Sequence, residues 1–204
     1  VLADKGFLKL DEILKSYSKF GSEYIGHPHN TLPGIEMCSG SLGHGLSVSV
    51  GMALAGKRDG RTYRVYTVMG DGELAEGSIW EAAMAASQYQ LDNLCAAVDR
   101  NRLQISGGTE EVMHQDDVAA RFESFGWNVV NVADGNDVSQ LAQALDAAEE
   151  CKGRPTLIIA NTVKGYGSLI MENKASWHHH VPTEEEYRQI SESFRRKLEE
   201  AEHE

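Results

Sequence analysis

Two residues in this 204-residue chain have the types and spacing to hold a cation. Asp71 sits in a Gly-Asp-Gly turn after the apolar run "YRVYTVM", and Asn101 follows a second apolar run, "LCAAVD", 30 positions later. A carboxylate and an amide present hard oxygens. These suit Mg²⁺ or Ca²⁺, and Mg²⁺ usually completes its octahedron with water and substrate phosphates. Gly70 and Gly72 flank the acid; glycine lets the backbone turn tightly and bring an N–H to a phosphate. Asp-Gly and Asn-Arg are also common loop punctuation. Their pairing at the ends of two successive apolar runs favours a metal-assisted phosphate site over two unrelated turns.

The elements that position these residues follow from periodicity. "YRVYTVM" (63–69) and "LCAAVD" (94–99) read as buried strands, and "SIWEAAMAASQY" (78–89) between them is rich in helix formers. Upstream, "LDEILKSYSKF" is an amphipathic helix, "GHPHNTLPG" is a loop broken by Pro28, Pro33 and Gly34, and "LSVSVGMALAGK" (46–57) suits a closely packed helix. Downstream come a helix near 116–124, strand 127–132, helix 137–150 and strand 156–163. A final helix has Thr183 and Glu186 in capping-box spacing. This alternation predicts an α/β domain, a parallel sheet with helices on both faces, spanning residues 1–204 as one unit that lacks an upstream segment. In such a sheet ligands bind beyond the carboxyl ends of the strands. If the two strands are neighbours, about 4.8 Å apart, Asp71 and Asn101 converge on one ion. Asp71 is then expected at an exposed strand end, replaceable without loss of the fold.

A net charge of −12 and a pI near 5.1 argue against nucleic acid or an anionic membrane as the main partner. They also mean that an anion binds here only with local help from a cation, backbone N–H groups or aimed basic side chains. Cys38, Cys95 and Cys151 are odd in number and widely spaced, which predicts three buried thiols in a reducing, cytoplasmic compartment. No apolar run reaches membrane-spanning length. "GSLGHG" (40–45) has the wrong glycine order for a dinucleotide fingerprint. His178, His179 and His180 are adjacent and cannot all face one ion from a regular element, so His179 and His180 read as surface histidines. Asp99 and Arg100 read most simply as caps of a strand end.

The stretch "GDGELAEGSIWEAAMAASQYQLDNLCAAVDRN" resembles the thiamine diphosphate motif, which opens on Gly-Asp-Gly and closes about 30 residues later on Asn. With "CSGSLGHGLSVSVGMALAGK", "GGTEEVM", "FGWNVV", "VKGYG" and "WHHHVP", the chain is similar to the diphosphate-binding part of transketolases over nearly its whole length. The resemblance implies that Asp71, Asn101 and the carbonyl of Leu103 ligate Mg²⁺, with Ca²⁺ or Mn²⁺ able to substitute. It implies that Gly72 contacts the diphosphate and that Gly40, Ser41, Leu42 and Ile105 line thiamine diphosphate. Lys164 and His178 match basic positions near the phosphates, His178 also facing substrate. His27 matches a histidine that bonds the sugar, and Glu76 a carboxylate between the two halves of the active site.

Transketolases also carry a pyrimidine-binding domain, whose glutamate protonates the aminopyrimidine ring. Its absence from this sequence makes the chain similar to the N-terminal subunit of a split-gene transketolase. The expected partners are a C-terminal subunit bearing that domain, in a hetero-oligomer built on a dimer, and sugar phosphates as substrates. The helix in "GSLGHGLSVSVGMALAG" is the expected docking surface. The rival expectations are deoxyxylulose phosphate synthase, the alpha subunit of a 2-oxo acid dehydrogenase, and a non-catalytic binding or stabilising subunit.

Overall fold

The computed structural model describes residues 1–202, and the chain divides into two compact units, Val1–Leu42 and Gly43–Glu204. The first unit is mostly turns around one short helix, α1 (Leu10–Ser16), which buries none of its own residues. Gly34 turns with φ +83° against Leu2 and Phe7, whose side chains would lie 3.0 Å from a Cβ there.

The second unit is built on a parallel sheet. Its strands are β1 (Val65–Gly70), β2 (Leu94–Arg100), β5 (Asn128–Val132) and β6 (Thr156–Asn161), ordered β1-β2-β6-β5. α2 (Gly45–Arg58) precedes β1, and between the strands run α3 (Gly77–Gln88), a two-residue hairpin pair β3 (Leu103–Gln104) and β4 (Gly107–Gly108), α4 (Thr109–Val112), α5 (Val118–Ser124) and α6 (Val138–Glu150). Alternation along the strands divides the core. Leu94, Ala96 and Val98 of β2, with Leu157 and Ile159 of β6, join residues of α2, α3 and α5 in the larger cluster. Cys95 and Ile158 point to the other face, where Ala144 and Ala148 of α6 and Val132 of β5 meet them. Both faces of the central strands are therefore covered, as a parallel sheet requires.

Small residues set the close helix–sheet spacing. Ala82, Ala83 and Ala86 of α3 and Ala53 of α2 are buried, and Trp127 fills the end of this layer with its indole N–H donated to the Ala83 carbonyl at 2.9 Å. α7 (Glu184–Glu202) begins with the expected capping box. The Thr183 N–H donates to Glu186 Oε2 at 2.8 Å and the Glu186 N–H to Thr183 Oγ1 at 3.3 Å.

The thiols depart from expectation. Cys95 alone is buried, its thiol pushed up to about 11 by burial, while Cys38 is exposed and Cys151 half-buried. Cys38 lies in the turn-rich first unit, which buries little apolar surface, and Cys151 lies just past the end of α6. Among the described residues no helix is long and apolar enough to cross a membrane.

Candidate active site

β1 and β2 are hydrogen-bonded neighbours in parallel register, with Gly70 opposite Asp99. Asp71 and Asn101 thus leave the sheet at the same edge from adjacent strands. Each is the residue just past its strand. The Asn101 side chain folds back locally, accepting the Leu103 N–H on Oδ1 at 3.0 Å, which turns the chain into the β3–β4 hairpin. Leu103 opens that hairpin and Ile105 sits at its tip, 57% exposed.

Asp71 is not at an exposed strand end: only 1% of it is accessible. The reason is a set of donors that close over it. The Gly72 N–H reaches Oδ1 at 2.8 Å, and Oδ2 accepts the Arg102 N–H at 2.6 Å and Arg100 Nη1 at 3.2 Å. Burial nonetheless pushes the carboxyl above its usual range, against the lowering effects of the Arg102 N–H, the Arg100 charge and the Gly72 N–H. The negative charge here is under-compensated, an environment that a cation would relieve.

Gly72 is a glycine because of crowding, not because of a left-handed turn. A Cβ there would sit 2.9 Å from Gln104 Cβ and 3.0 Å from its Oε1. That Oε1 is buried with no hydrogen-bond partner among the described residues. A short 3-10 turn, Gly72–Ala75, separates the glycine from α3, so the α-helix itself starts at Gly77.

Glu76 caps α3 in extended conformation and lies against Gly43, whose Cβ would fall 2.6 Å from Glu76 Cβ. Gly43 holds φ +87° and is fixed at both ends. Its N–H donates to Glu73 Oε1 at 2.7 Å, and its carbonyl accepts Ser78 Oγ at 2.8 Å. The other Glu73 oxygen accepts the Gly70 N–H at 3.1 Å. Glu73 therefore ties the start of α2 to the end of β1. Sequence reading missed it, because its partner lies 30 residues upstream.

Asp99 and Arg100 do not simply cap a strand. Asp99 accepts the Thr162 hydroxyl, and Arg100 is buried among Asp71, Thr109 and Glu110. In the first unit, His27 is exposed and packs on Gly40, where a Cβ would lie 2.7 Å from His27 Cδ2. Ser41 and Leu42 follow, both exposed.

The 3-10 turn Ala175–His178 packs against β3, which brings His178 to the side of the hairpin. Its imidazole is held below the ordinary value by desolvation first, then by the charges of Lys164 and His179. Lys164 thus lies near enough for its charge to bear on His178. His180 instead contacts Glu186 at 2.9 Å and sets its ring edge-on to Trp177. Replacing Lys164 by Met is expected to raise the His178 midpoint in part, since desolvation, the larger cause, remains; imidazole resonances in a pH titration follow it. An unmoved midpoint would separate the two residues. His178→Ala is expected to lower turnover more than metal affinity, and His180→Ala to leave both near wild type. Equal losses of metal affinity in both variants would mark the histidine run as a metal cluster.

Residues 3–200 match the family model described as transketolase, thiamine diphosphate binding domain. The chain belongs to that family. It is 46% identical over 203 residues to an apulose-4-phosphate transketolase subunit of Phocaeicola vulgatus, covering 100% of this chain and 72% of that protein. It is 39% identical over 185 residues to a 6-deoxy-6-sulfo-D-fructose transketolase subunit of a Clostridium species, covering 90% and 66%. A transketolase variant from Pichia stipitis, solved with fructose 6-phosphate, superposes with a TM-score of 0.84 at 35% identity, over 89% of this chain and 29% of that one. The α/β architecture and the resemblance to the diphosphate-binding part of transketolases are both upheld.

The groups expected to hold a metal in this transketolase-family domain, Asp71, Asn101 and the Leu103 carbonyl, offer oxygen donors only, the chemistry that suits Mg²⁺. The under-compensated Asp71 charge and the orphaned Gln104 oxygen both face unmet polar demand. Among the described residues no three His, Cys, Asp or Glu side chains are grouped to hold a metal, so a metal here would rely on one carboxylate, an amide and backbone.

Proposed function

We propose that this chain is the diphosphate-binding subunit of a thiamine diphosphate- and Mg²⁺-dependent transketolase. It would act with a partner subunit that carries the pyrimidine-binding domain, in the cytoplasm, on sugar phosphates. The reaction moves a two-carbon ketol unit from a ketose phosphate to an aldose phosphate. The observation that carries this reading is that Asp71 and Asn101 follow the ends of the neighbouring strands β1 and β2 at one edge of the sheet, with Gly72 and Leu103 next in the same loops. The relatives named as subunits support the two-chain form.

In this reading Asp71, Asn101 and the Leu103 carbonyl hold Mg²⁺, and the ion offsets the diphosphate charge that an acidic protein would otherwise repel. Thiamine diphosphate, when bound, supplies the electron sink for carbon–carbon cleavage. Gly72 contacts the diphosphate, and Gly40, Ser41, Leu42 and Ile105 line the cofactor. Lys164 and His178 add positive and hydrogen-bonding character at the phosphates and substrate. A His178 imidazole held low stays neutral at neutral pH, so it can accept as well as donate a hydrogen bond. His27 bonds the sugar, and Glu76 joins the contacts between the halves of the site.

The test is to assay the chain together with its partner subunit on a panel of ketose phosphate donors, and in parallel on pyruvate. Two-carbon transfer from one or more ketose phosphates is expected. Activity confined to pyruvate would move the protein to the synthase branch of thiamine enzymes, and no activity with any donor would favour a binding subunit.

A further inference from the structure

Arg100 closes β2 with only 6% of its surface accessible, and it lies between the side chains of a buried acid and a surface acid. Its Nη1 donates to Asp71 Oδ2 at 3.2 Å and to the buried Thr109 Oγ1 at 3.1 Å; its Nη2 donates to Glu110 Oε1 at 2.7 Å. The Glu110 side chain is 37% exposed. Its second oxygen accepts the Gln115 and Asp116 N–H groups at 3.1 and 3.4 Å and lies 2.8 Å from His114 Nδ1. The Thr109 N–H returns to the Arg102 carbonyl at 2.9 Å, which fastens α4 to the residue that follows Asn101. A continuous strut of charge-assisted hydrogen bonds therefore runs from Asp71 through one guanidinium to the 109–116 segment.

Resting on the metal reading above, we propose that Arg100, held by Glu110, is a positioning residue that fixes the Asp71 carboxylate for the ion. Arg100 and the Arg102 N–H both occupy Oδ2, and the Gly72 N–H takes one direction on Oδ1. The carboxylate plane is thereby set before any cation arrives. A bare guanidinium beside a ligand would repel that cation. Glu110 offsets this, leaving the Glu110–Arg100–Asp71 trio with one net negative charge. Removing the Glu110 charge leaves Arg100 less neutralised and its head less firmly held; both effects weaken cation binding.

The test uses the full chain together with its partner subunit, with thiamine diphosphate present. Mn²⁺ uptake is read from water-proton relaxation, Mg²⁺ by competition, and thermal unfolding is followed separately. Glu110→Gln is nearly isosteric and half-exposed, so it keeps the fold. It is expected to weaken metal binding by about tenfold, the low end for loss of a residue that orients a ligand. Arg100→Lys, which keeps the charge but cannot span three acceptors, is expected to cost about 30-fold. Glu111→Gln removes a neighbouring exposed charge that makes no contact with Arg100, and should stay within about twofold. Lower thermal stability with unchanged metal affinity in Glu110→Gln would make the strut structural and overturn the proposal. Equal losses in the Glu110 and Glu111 variants would overturn it in favour of bulk charge. A wild-type pair that takes up no metal would instead overturn the site reading on which it rests.

Discussion

Asp71→Asn is expected to remove Mg²⁺-dependent binding of thiamine diphosphate, with affinity falling by on the order of a hundredfold or more. Loss of a residue that merely orients a ligand costs about 10–100-fold, and loss of a direct anionic ligand should exceed that. The asparagine keeps a similar shape, but its NH2 must face either the Gly72 N–H or the Arg100 and Arg102 donors, so some stability is lost together with the charge. Asp71→Ala differs in kind. It also takes an acceptor from the buried Arg100, which retains Thr109 and Glu110, so a loss of about 1–3 kcal/mol of stability accompanies it. Asn101→Ala should be milder in affinity than either, since a neutral ligand is lost and water can replace it, although the bond to the Leu103 N–H goes too. Calorimetry of cofactor binding in Mg²⁺ checks the order. Undiminished affinity in Asp71→Asn would remove Asp71 from the ligand set, and a larger loss in the Asn101 variant would contradict the charge argument.

The second large effect concerns turnover. By itself this chain is expected to show no ketol transfer, and with the partner subunit to recover it. In the two-subunit reading the glutamate that protonates the aminopyrimidine belongs to the partner, and general acid–base help at that ring is required for the cofactor to react. Asp71, Asn101, Leu103 and Gly72 can hold a metal-bound diphosphate without supplying that proton. Docking would use the side of α2 that faces away from the core. There Ser47, Gly51 and Ala55 are exposed, small enough for close approach, while Leu46, Val50 and Ala53 turn inward. Turnover by the isolated chain equal to that of the pair would contradict the two-subunit account.

The shared sheet edge of Asp71 and Asn101 was legible because it depends on local periodicity. β1, α3 and β2 are consecutive, and a parallel pair joined by one helix puts both strand ends on the same side. Asp71 and Asn101 could therefore be paired from spacing alone. What surrounds them could not. Arg100 reads as a strand-end residue until the β3–β4 hairpin and α4 fold back to place Thr109 and Glu110 against it. Glu73 has no partner within its own segment beyond the Gly70 N–H, and only the approach of Gly43 gives its carboxylate a tertiary purpose. Gly72 was expected to serve a tight turn; the close approach of Gln104 excludes a side chain instead. The buried state of Asp71 follows from the same loops. Where a role is set by elements distant in the chain, composition and spacing carry no signal for it. His27, Gly40, Ser41 and Leu42 rest on family resemblance, beyond the contact of His27 with Gly40 inside the first unit.

The central claim is that this chain supplies half of a shared cofactor site. Thermodynamic linkage then requires that any factor by which the partner tightens thiamine diphosphate binding also be the factor by which the cofactor tightens association of the two subunits. Analytical ultracentrifugation of the pair, with and without thiamine diphosphate and Mg²⁺, measures this directly. The account predicts tighter association in the presence of both ligands and no such gain in the Asp71→Asn variant. Association that is indifferent to cofactor and metal in the wild-type pair would contradict it.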